Sequence, residues 1–279
     1  MRNRDTAGLV AAGLVAAPVA LGAGYSLAAA LGLAGTGANG FDPGRIVRVL
    51  GDPDTWRATS WTLATAGVAT VLATAAAATV AVRLRNSRSA RWLAVFPLGV
   101  PHLAAALAAL LLLGQSGLLS RLAFAAGVVT GPAAFPVLVY DRPGVALTLA
   151  FAWKEFPFLV LTALAVLDTR TDLLADVART LGASQRQIFR RVTWPLLWRG
   201  LSPAVIAAFA FLIGQYEMAA LLAPSDPTPL SVLTFERASD PLLVHRGDAH
   251  VLGLLALMLA ATLVVIHERL RRASGGTAS

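Results

Sequence analysis

Residues 176–195, DVARTLGASQRQIFRRVTWP, form a polar, arginine-rich stretch inside a chain that is otherwise strongly apolar. Apolar residues recur at helical spacing before Gly182, which predicts a first short helix closed by a glycine cap. Ser184 and Gln187 form a capping-box pattern for a second helix, and Pro195 is predicted to end it. The stretch therefore predicts a water-exposed pair of short amphipathic helices that another molecule contacts. A solvated linker between two spans is the alternative.

The composition of the 279-residue chain indicates a membrane protein. Hydrophobic residues make up 57% of it and charged residues only 14%, whereas a soluble domain carries roughly a quarter charged residues. The net charge of +8 lies largely in arginines that flank apolar runs, which favours a topological role over nucleic-acid binding. Without cysteine, and with His102, His245, His250 and His267 scattered along the chain, neither a metal site nor a catalytic constellation is expected.

Six apolar runs are long enough to cross a bilayer, which takes about 20 residues each. They are predicted at residues 8–31, 60–82, 92–113, 144–167, 200–223 and 251–266. The first run is longer than the apolar core of a signal peptide, so an uncleaved helix is favoured. Residues 118–139 contain Gly131, Pro132 and Pro136 and are predicted to form a short interfacial or re-entrant segment. The predicted fold class is an all-α membrane protein with about six transmembrane helices.

The distribution of arginine predicts the orientation of the chain. Most arginines fall on the side that holds both termini and residues 176–195, and the positive-inside rule places that side in the cytoplasm. Residues 1–54 are predicted to form an N-terminal transmembrane helix and an external loop. Residues 55–272 are predicted to form a transmembrane domain with a cytoplasmic loop at about 168–199. Residues 273–279 are predicted to be a disordered tail.

Polar residues inside the predicted spans mark a second candidate site. Lys154 and Glu155 fall in the fourth span, where a charge costs about 2.5 kcal/mol or more. Neighbouring residues on a helix point in different directions, so each needs a partner elsewhere. Glu217, beside Gln215 in the fifth span, is the predicted partner of Lys154, and His102 adds a polar group in the third span. These five residues either fix helix packing or line a translocation path.

The 176–195 stretch resembles the cytoplasmic EAA loop of binding-protein-dependent ABC importer permeases. That loop reads Glu-Ala-Ala, three residues, Gly-Ala, then a phenylalanine, an aliphatic residue and a closing Leu-Pro. Here Asp176 replaces the glutamate, Val177 replaces the first alanine and Trp194 replaces the closing leucine, and the spacing is kept without insertion. The candidate ATPase-coupling residues carried over from the resemblance are Asp176, Ala178, Gly182, Ala183, Phe189, Val192 and Pro195.

The resemblance implies a MetI-like permease of a bacterial inner membrane, with a coupling-helix hairpin that docks on separate ABC ATPase subunits. It also implies a second permease copy or paralogue and an extracytoplasmic solute-binding protein. ATP and magnesium are expected on the ATPase and no cofactor on this chain, since the single lysine, Lys154, lacks a P-loop around it. Residues 152–161, AWKEFPFLVL, loosely resemble the polyamine, thiamine and iron importer branch, which implies a small polar or charged solute.

Two other classes of function fit parts of the sequence. An ion-coupled secondary transporter could use Glu155 and Glu217 as proton carriers, but it leaves the 176–195 stretch unexplained. A membrane scaffold or intramembrane enzyme needs no transport path, but the sequence offers no catalytic constellation for the latter. The importer permease accounts for both candidate sites.

Overall fold

The computed structural model describes residues 2–36, 38, 40–84, 87–167 and 169–275. Every regular element in these residues is helical, which confirms the predicted all-α class. In chain order the α-helices are α1 (Arg2–Ala30), α2 (Gly44–Gly51), α3 (Pro53–Leu84), α4 (Arg88–Val95), α5 (His102–Leu113), α6 (Leu118–Ala125), α7 (Val145–Val166), α8 (Thr169–Thr180), α9 (Gln185–Ile188), α10 (Trp194–Ile213), α11 (Glu217–Leu222), α12 (Leu230–Ala238) and α13 (Leu243–Gly275). Short 3-10 turns cover Phe96–Gly99 and Pro132–Ala134, and a π-helical turn covers Phe189–Thr193.

Six helical stretches in the described part of the chain are long and apolar enough to cross a membrane. They are Gly13–Ala30, Pro53–Leu84, His102–Ala125, Val145–Val166, Gln185–Ile213 and Leu243–Ala273. Each overlaps one of the six predicted runs, in the same order, so the predicted number of spans is confirmed.

Three of these helices are longer than a bilayer requires. Pro53–Leu84 has 32 residues, Gln185–Ile213 has 29 and Leu243–Ala273 has 31, which correspond to about 48 Å, 44 Å and 47 Å at 1.5 Å per residue. The hydrocarbon core is only about 30 Å thick, so at least one end of each helix extends into water. Arg186, Arg190 and Arg191 lie in the first two turns of the second helix, at an end that the bilayer need not cover.

The third and fifth spans contain breaks that the sequence did not predict, so their bounds differ from the predicted ones. The third span, predicted at 92–113, is interrupted at Phe96–Gly99 and Pro101, because Pro97 and Pro101 lack the N–H that continues a helix. It resumes as α5 and continues through α6, so part of the predicted 118–139 segment belongs to this span. The fifth span, predicted at 200–223, ends at Ile213, and the separate helix α11 follows.

The chain divides into two compact units, of which residues 1–59 and 229–259 form the first. Its buried core is made of Ala30, Val49, Ala58, Leu230, Val251 and Leu252. Arg45 is buried in this unit, where Nη1 donates to the carbonyl of Ala29 at 2.9 Å and Nε lies 3.6 Å from Asp248 Oδ1. The sequence did not predict this association of residues 1–54 with residues 229–259.

Residues 60–228 and 260–279 form the second unit, which contains both candidate sites. Its core includes many small residues, such as Ala73, Ala77 and Ala163, which let helices α3, α7 and α10 pack closely. Helix α13 runs to Gly275, so residues 273–275 of the predicted disordered tail are helical. Residues 276–279 of that predicted tail lie outside the described residues.

Replacing Gly200 with alanine is expected to destabilise the second unit by about 1–3 kcal/mol, because the new methyl group overpacks the contact between α10 and α7. A Cβ at Gly200 would lie 2.8 Å from Cγ1 of Val166, whose β-branched side chain has little freedom to move. Gly67→Ala in α3 is the matched control, since its Cβ would meet nothing nearer than Phe209 at 4.0 Å. The temperature at which half of the detergent-solubilised protein stays monodisperse should fall only for Gly200→Ala. An equal effect of both changes would contradict the overpacking argument.

Candidate functional site

Gly182 joins the two short helices of the hairpin in the way that the sequence predicts. Its φ of +83° places it in the left-handed region, which glycine adopts without steric cost. The Ala183 N–H donates to the Ala178 carbonyl at 3.0 Å and the Gly182 N–H donates to the Arg179 carbonyl at 3.0 Å. This pair of hydrogen bonds is the Schellman motif, so the last carbonyls of α8 are satisfied within the joint.

Ser184 starts the second helix with the predicted capping box. The Gln187 N–H donates to Ser184 Oγ at 3.4 Å, and the Ser184 N–H donates to Gln187 Oε1 at 2.8 Å. These reciprocal bonds satisfy two backbone donors that the helix leaves free. The capping box confirms the predicted start of α9.

Pro195 does not end the second helix, and that prediction is wrong. The chain is helical from Gln185 through the π turn Phe189–Thr193 and on through α10. The Trp194 N–H donates to the Phe189 carbonyl, five residues back, and Pro195 occupies the first turn after this register change. A proline is tolerated in a first turn because its missing N–H has no required partner there. Helix α9 is therefore continuous with the fifth span.

The seven predicted coupling residues fall into two groups on the hairpin. Ala178, Gly182, Ala183 and Val192 line one shallow cavity of about 340 Å³ between the two short helices. Asp176, Phe189 and Pro195 lie outside that cavity. The Asp176 carboxylate is exposed and pairs with Arg179 on the same helix, where an exposed ion pair contributes little to stability.

An exposed apolar stripe crosses the polar hairpin. Leu173, Val177 and Leu181 recur every fourth residue, so they share one helix face. Their exposed fractions are 61%, 56% and 82%. Ile188 of the second helix, by contrast, is only 4% exposed and packs inward. An apolar stripe on an arginine-rich segment is typical of a surface that a partner covers.

Lys154 does not pair with Glu217, and that predicted ion pair is wrong. Its ammonium group instead donates to the carbonyls of Pro97 at 3.1 Å and Val100 at 2.7 Å. These carbonyls lie at the break of the third span, where the Pro97 carbonyl also accepts from the Val100 N–H at 3.2 Å and Pro101 has no N–H to donate. Lys154 thereby fastens α7 to the broken span. The signal for this arrangement was present in the sequence as the FPLGVP run at 96–101.

The remaining path candidates differ in how far they are buried. Lys154 and Glu155 are only 8% and 7% exposed, His102 and Gln215 are half-buried, and Glu217 is exposed. Glu217 begins α11 just after the break at Gly214, and His102 lies close enough to both Glu217 and Lys154 for electrostatic interaction. The structure therefore brings His102, Lys154 and Glu217 into one neighbourhood at the breaks of two spans.

Comparison with known proteins identifies the family. A family model described as the binding-protein-dependent transport system inner membrane component matches residues 83–271, which include the hairpin and the polar residues at the two breaks. The chain belongs to this family. It is a permease subunit of an ATP-binding-cassette importer and a multi-pass inner-membrane protein.

Individual relatives agree with this identification. The permease is 30% identical over 211 residues to the molybdenum transport system permease protein ModB of Mycobacterium tuberculosis, covering 72% of this chain and 74% of the relative. It is 28% identical over 138 residues to the probable sulfate transport system permease protein cysT of Chlorella vulgaris, covering 47% of this chain and 48% of the relative.

A solved structure shows the same fold. The bacterial alginate ABC transporter in complex with its alginate pentasaccharide-bound periplasmic protein contains a chain that matches with a TM-score of 0.73 at 14% identity. The match covers 98% of the permease and 96% of that chain. The MetI-like fold expected from the resemblance is thus confirmed for almost the whole permease.

Proposed function

We propose that the hairpin of α8 and α9 docks on a separate ATPase subunit, which binds ATP and magnesium and drives solute import through this permease. The observation that carries the proposal is the exposed apolar stripe of Leu173, Val177 and Leu181 on an arginine-rich hairpin. A partner that covers this stripe would gain about 1.5–3 kcal/mol for each fully buried leucine. Because α9 continues into the fifth span, a rigid-body motion of the ATPase would reach the membrane directly.

We further propose that the complete importer contains two permeases, two ATPase subunits and an external solute-binding protein. The family description supports dependence on a binding protein. Both termini and the hairpin would lie in the cytoplasm, as the distribution of arginine favours. The second permease, either a copy or a paralogue, would complete a path that one chain of six spans encloses poorly.

His102, Gln215 and Glu217 are the residues that we propose to face the solute, with Lys154 and Glu155 holding the broken spans in place. Their degrees of exposure support this division. With the Lys154 ammonium occupied by carbonyls and the Glu217 carboxylate exposed, a cationic solute such as a polyamine, thiamine or iron is favoured. An oxyanion is the second candidate, because relatives are named for molybdenum and sulfate transport.

Leu181→Ser is expected to reduce the ATPase that copurifies with tagged permease by about tenfold or more, since an interface leucine contributes about 1.5–3 kcal/mol. Vanadate-sensitive hydrolysis of Mg-ATP by the purified complex measures the loss. Leu242→Ser is the matched control, because Leu242 is also well exposed, at 61%, but lies in the loop before α13. Undiminished ATPase recovery with Leu181→Ser would contradict docking through the stripe.

Uptake of radiolabelled putrescine and molybdate into vesicles that contain the complex separates the two solute classes.

A further inference from the structure

An apolar groove of about 600 Å³ lies between the second half of α3 and the start of α10. Val71, Ala75, Thr79 and Arg83 line it from α3, and Trp194 and Trp198 line it from α10. Its wall is mostly apolar, and none of the described residues that line it is acidic. The groove lies apart from the cavity of the hairpin and from the polar residues at the span breaks.

The length of the groove matches one leaflet of a bilayer. Val71 and Arg83 are separated by twelve residues of helix, which corresponds to about 18 Å. Half of the hydrocarbon core measures about 15 Å. A hydrocarbon chain that enters beside Arg83 would therefore reach about the middle of the membrane at Val71.

Along its length the groove changes from charged to aromatic to apolar, which matches the order of phosphate, interface and acyl chain in a phospholipid. Arg83 is exposed in the last turn of α3. Trp194 and Trp198 stack with ring centroids 5.9 Å apart and an interplanar angle of 18°, and both are partly exposed. Tryptophans of this kind are enriched at the membrane interface. Below them the wall consists of small residues such as Ala75 and Ala78, which leave room for a chain.

We propose that this groove binds one acyl chain of an anionic phospholipid, whose phosphate group pairs with Arg83. Three features of the groove favour this class of ligand. Arg83 provides a cation at one end, the two tryptophans lie at the depth of the headgroup, and the apolar length matches one leaflet. The same lipid would touch Phe189, which lines the groove and also belongs to the predicted coupling residues. The site does not depend on the identity of the transported solute.

Native mass spectrometry of the detergent-purified full chain tests the proposal, with phosphatidylglycerol and phosphatidylcholine added separately. The first bound phosphatidylglycerol should be retained about fivefold better than phosphatidylcholine, the effect expected of one arginine near a headgroup. Arg83→Gln should remove this preference while lipid binding itself persists. Arg199→Gln, which changes an exposed arginine outside the groove, should keep the preference.

Variants that fill the groove with a larger side chain provide a second, independent measurement. Ala75→Phe should lower retention of the first lipid of either headgroup by at least about fivefold, because the ring displaces acyl methylenes from the groove. Thr79→Leu fills the groove less severely and replaces Ala75→Phe if that variant does not fold. Ala76→Phe is the control, since Ala76 is exposed on the same helix but does not line the groove. Unchanged lipid retention with Thr79→Leu, or equal losses with Ala75→Phe and Ala76→Phe, would overturn the proposal. So would loss of a permease–permease dimer with lipid retention intact, because the groove would then hold the second permease.

Discussion

Gly182→Val is expected to lower solute uptake and solute-stimulated ATP hydrolysis by about tenfold or more, while the amount of permease in the membrane stays unchanged. The left-handed backbone at Gly182 costs a residue with a side chain roughly 1–2 kcal/mol, and a β-branched residue tolerates it least. A Cβ at Gly182 would meet no heavy atom within 4 Å, so the effect comes from the backbone and not from a clash. Loss of the turn at Gly182 would change the angle between α8 and α9, so the two helices would no longer fit the ATPase together.

Two matched variants separate the joint from general backbone strain. Gly182→Asn should retain most uptake, because asparagine adopts the left-handed region more readily than other residues with a side chain. Gly127→Val should leave coupling intact, although Gly127 has a φ of +72° and equally open surroundings. Uptake of labelled solute into cells and ATP hydrolysis by the purified complex are the measurements. Full coupling in Gly182→Val would show that the hairpin does not transmit the motion.

The hairpin could be predicted from sequence because its structure is encoded within a few neighbouring residues. The Schellman motif needs one residue that accepts a positive φ, and Gly182 supplies it. The capping box needs a hydroxyl and an amide three residues apart, and Ser184 and Gln187 supply them. Each of these patterns is satisfied by local hydrogen bonds, so distant parts of the fold do not alter them.

The end of the hairpin could not be predicted, because a proline has opposite meanings in the interior and in the first turn of a helix. Pro195 follows the π turn Phe189–Thr193, in which the backbone hydrogen bond spans five residues instead of four. No pattern in the sequence predicted this turn. The partner of Lys154 was mispredicted for a related reason. Pairing it with Glu217 assumed that the third and fifth spans were unbroken. The break at 96–101 instead supplies two carbonyl acceptors for Lys154, and the break at 214–216 moves Glu217 onto a separate helix.

The Lys154 ammonium group of α7 donates two hydrogen bonds to the break in the third span. Carbonyls that lose a helical donor inside a membrane are costly unless another group donates to them. Hydrogen bonds to a charged group contribute about 1.5–3 kcal/mol each. Lys154→Met keeps the approximate shape of the side chain but removes both bonds and leaves the carbonyls of Pro97 and Val100 without these donors.

Lys154→Met is therefore expected to destabilise the permease by about 3 kcal/mol or more, which is the loss of two charge-assisted hydrogen bonds. The half-denaturation temperature of the detergent-solubilised protein measures the loss. Trp153→Met, at the neighbouring position that is 41% exposed, should change it far less. Lys154→Arg keeps the charge and the donors and should recover part of the stability. If Lys154→Met is as stable as the wild type but its uptake falls or changes solute preference, the ammonium group acts on the solute and not on the helix break.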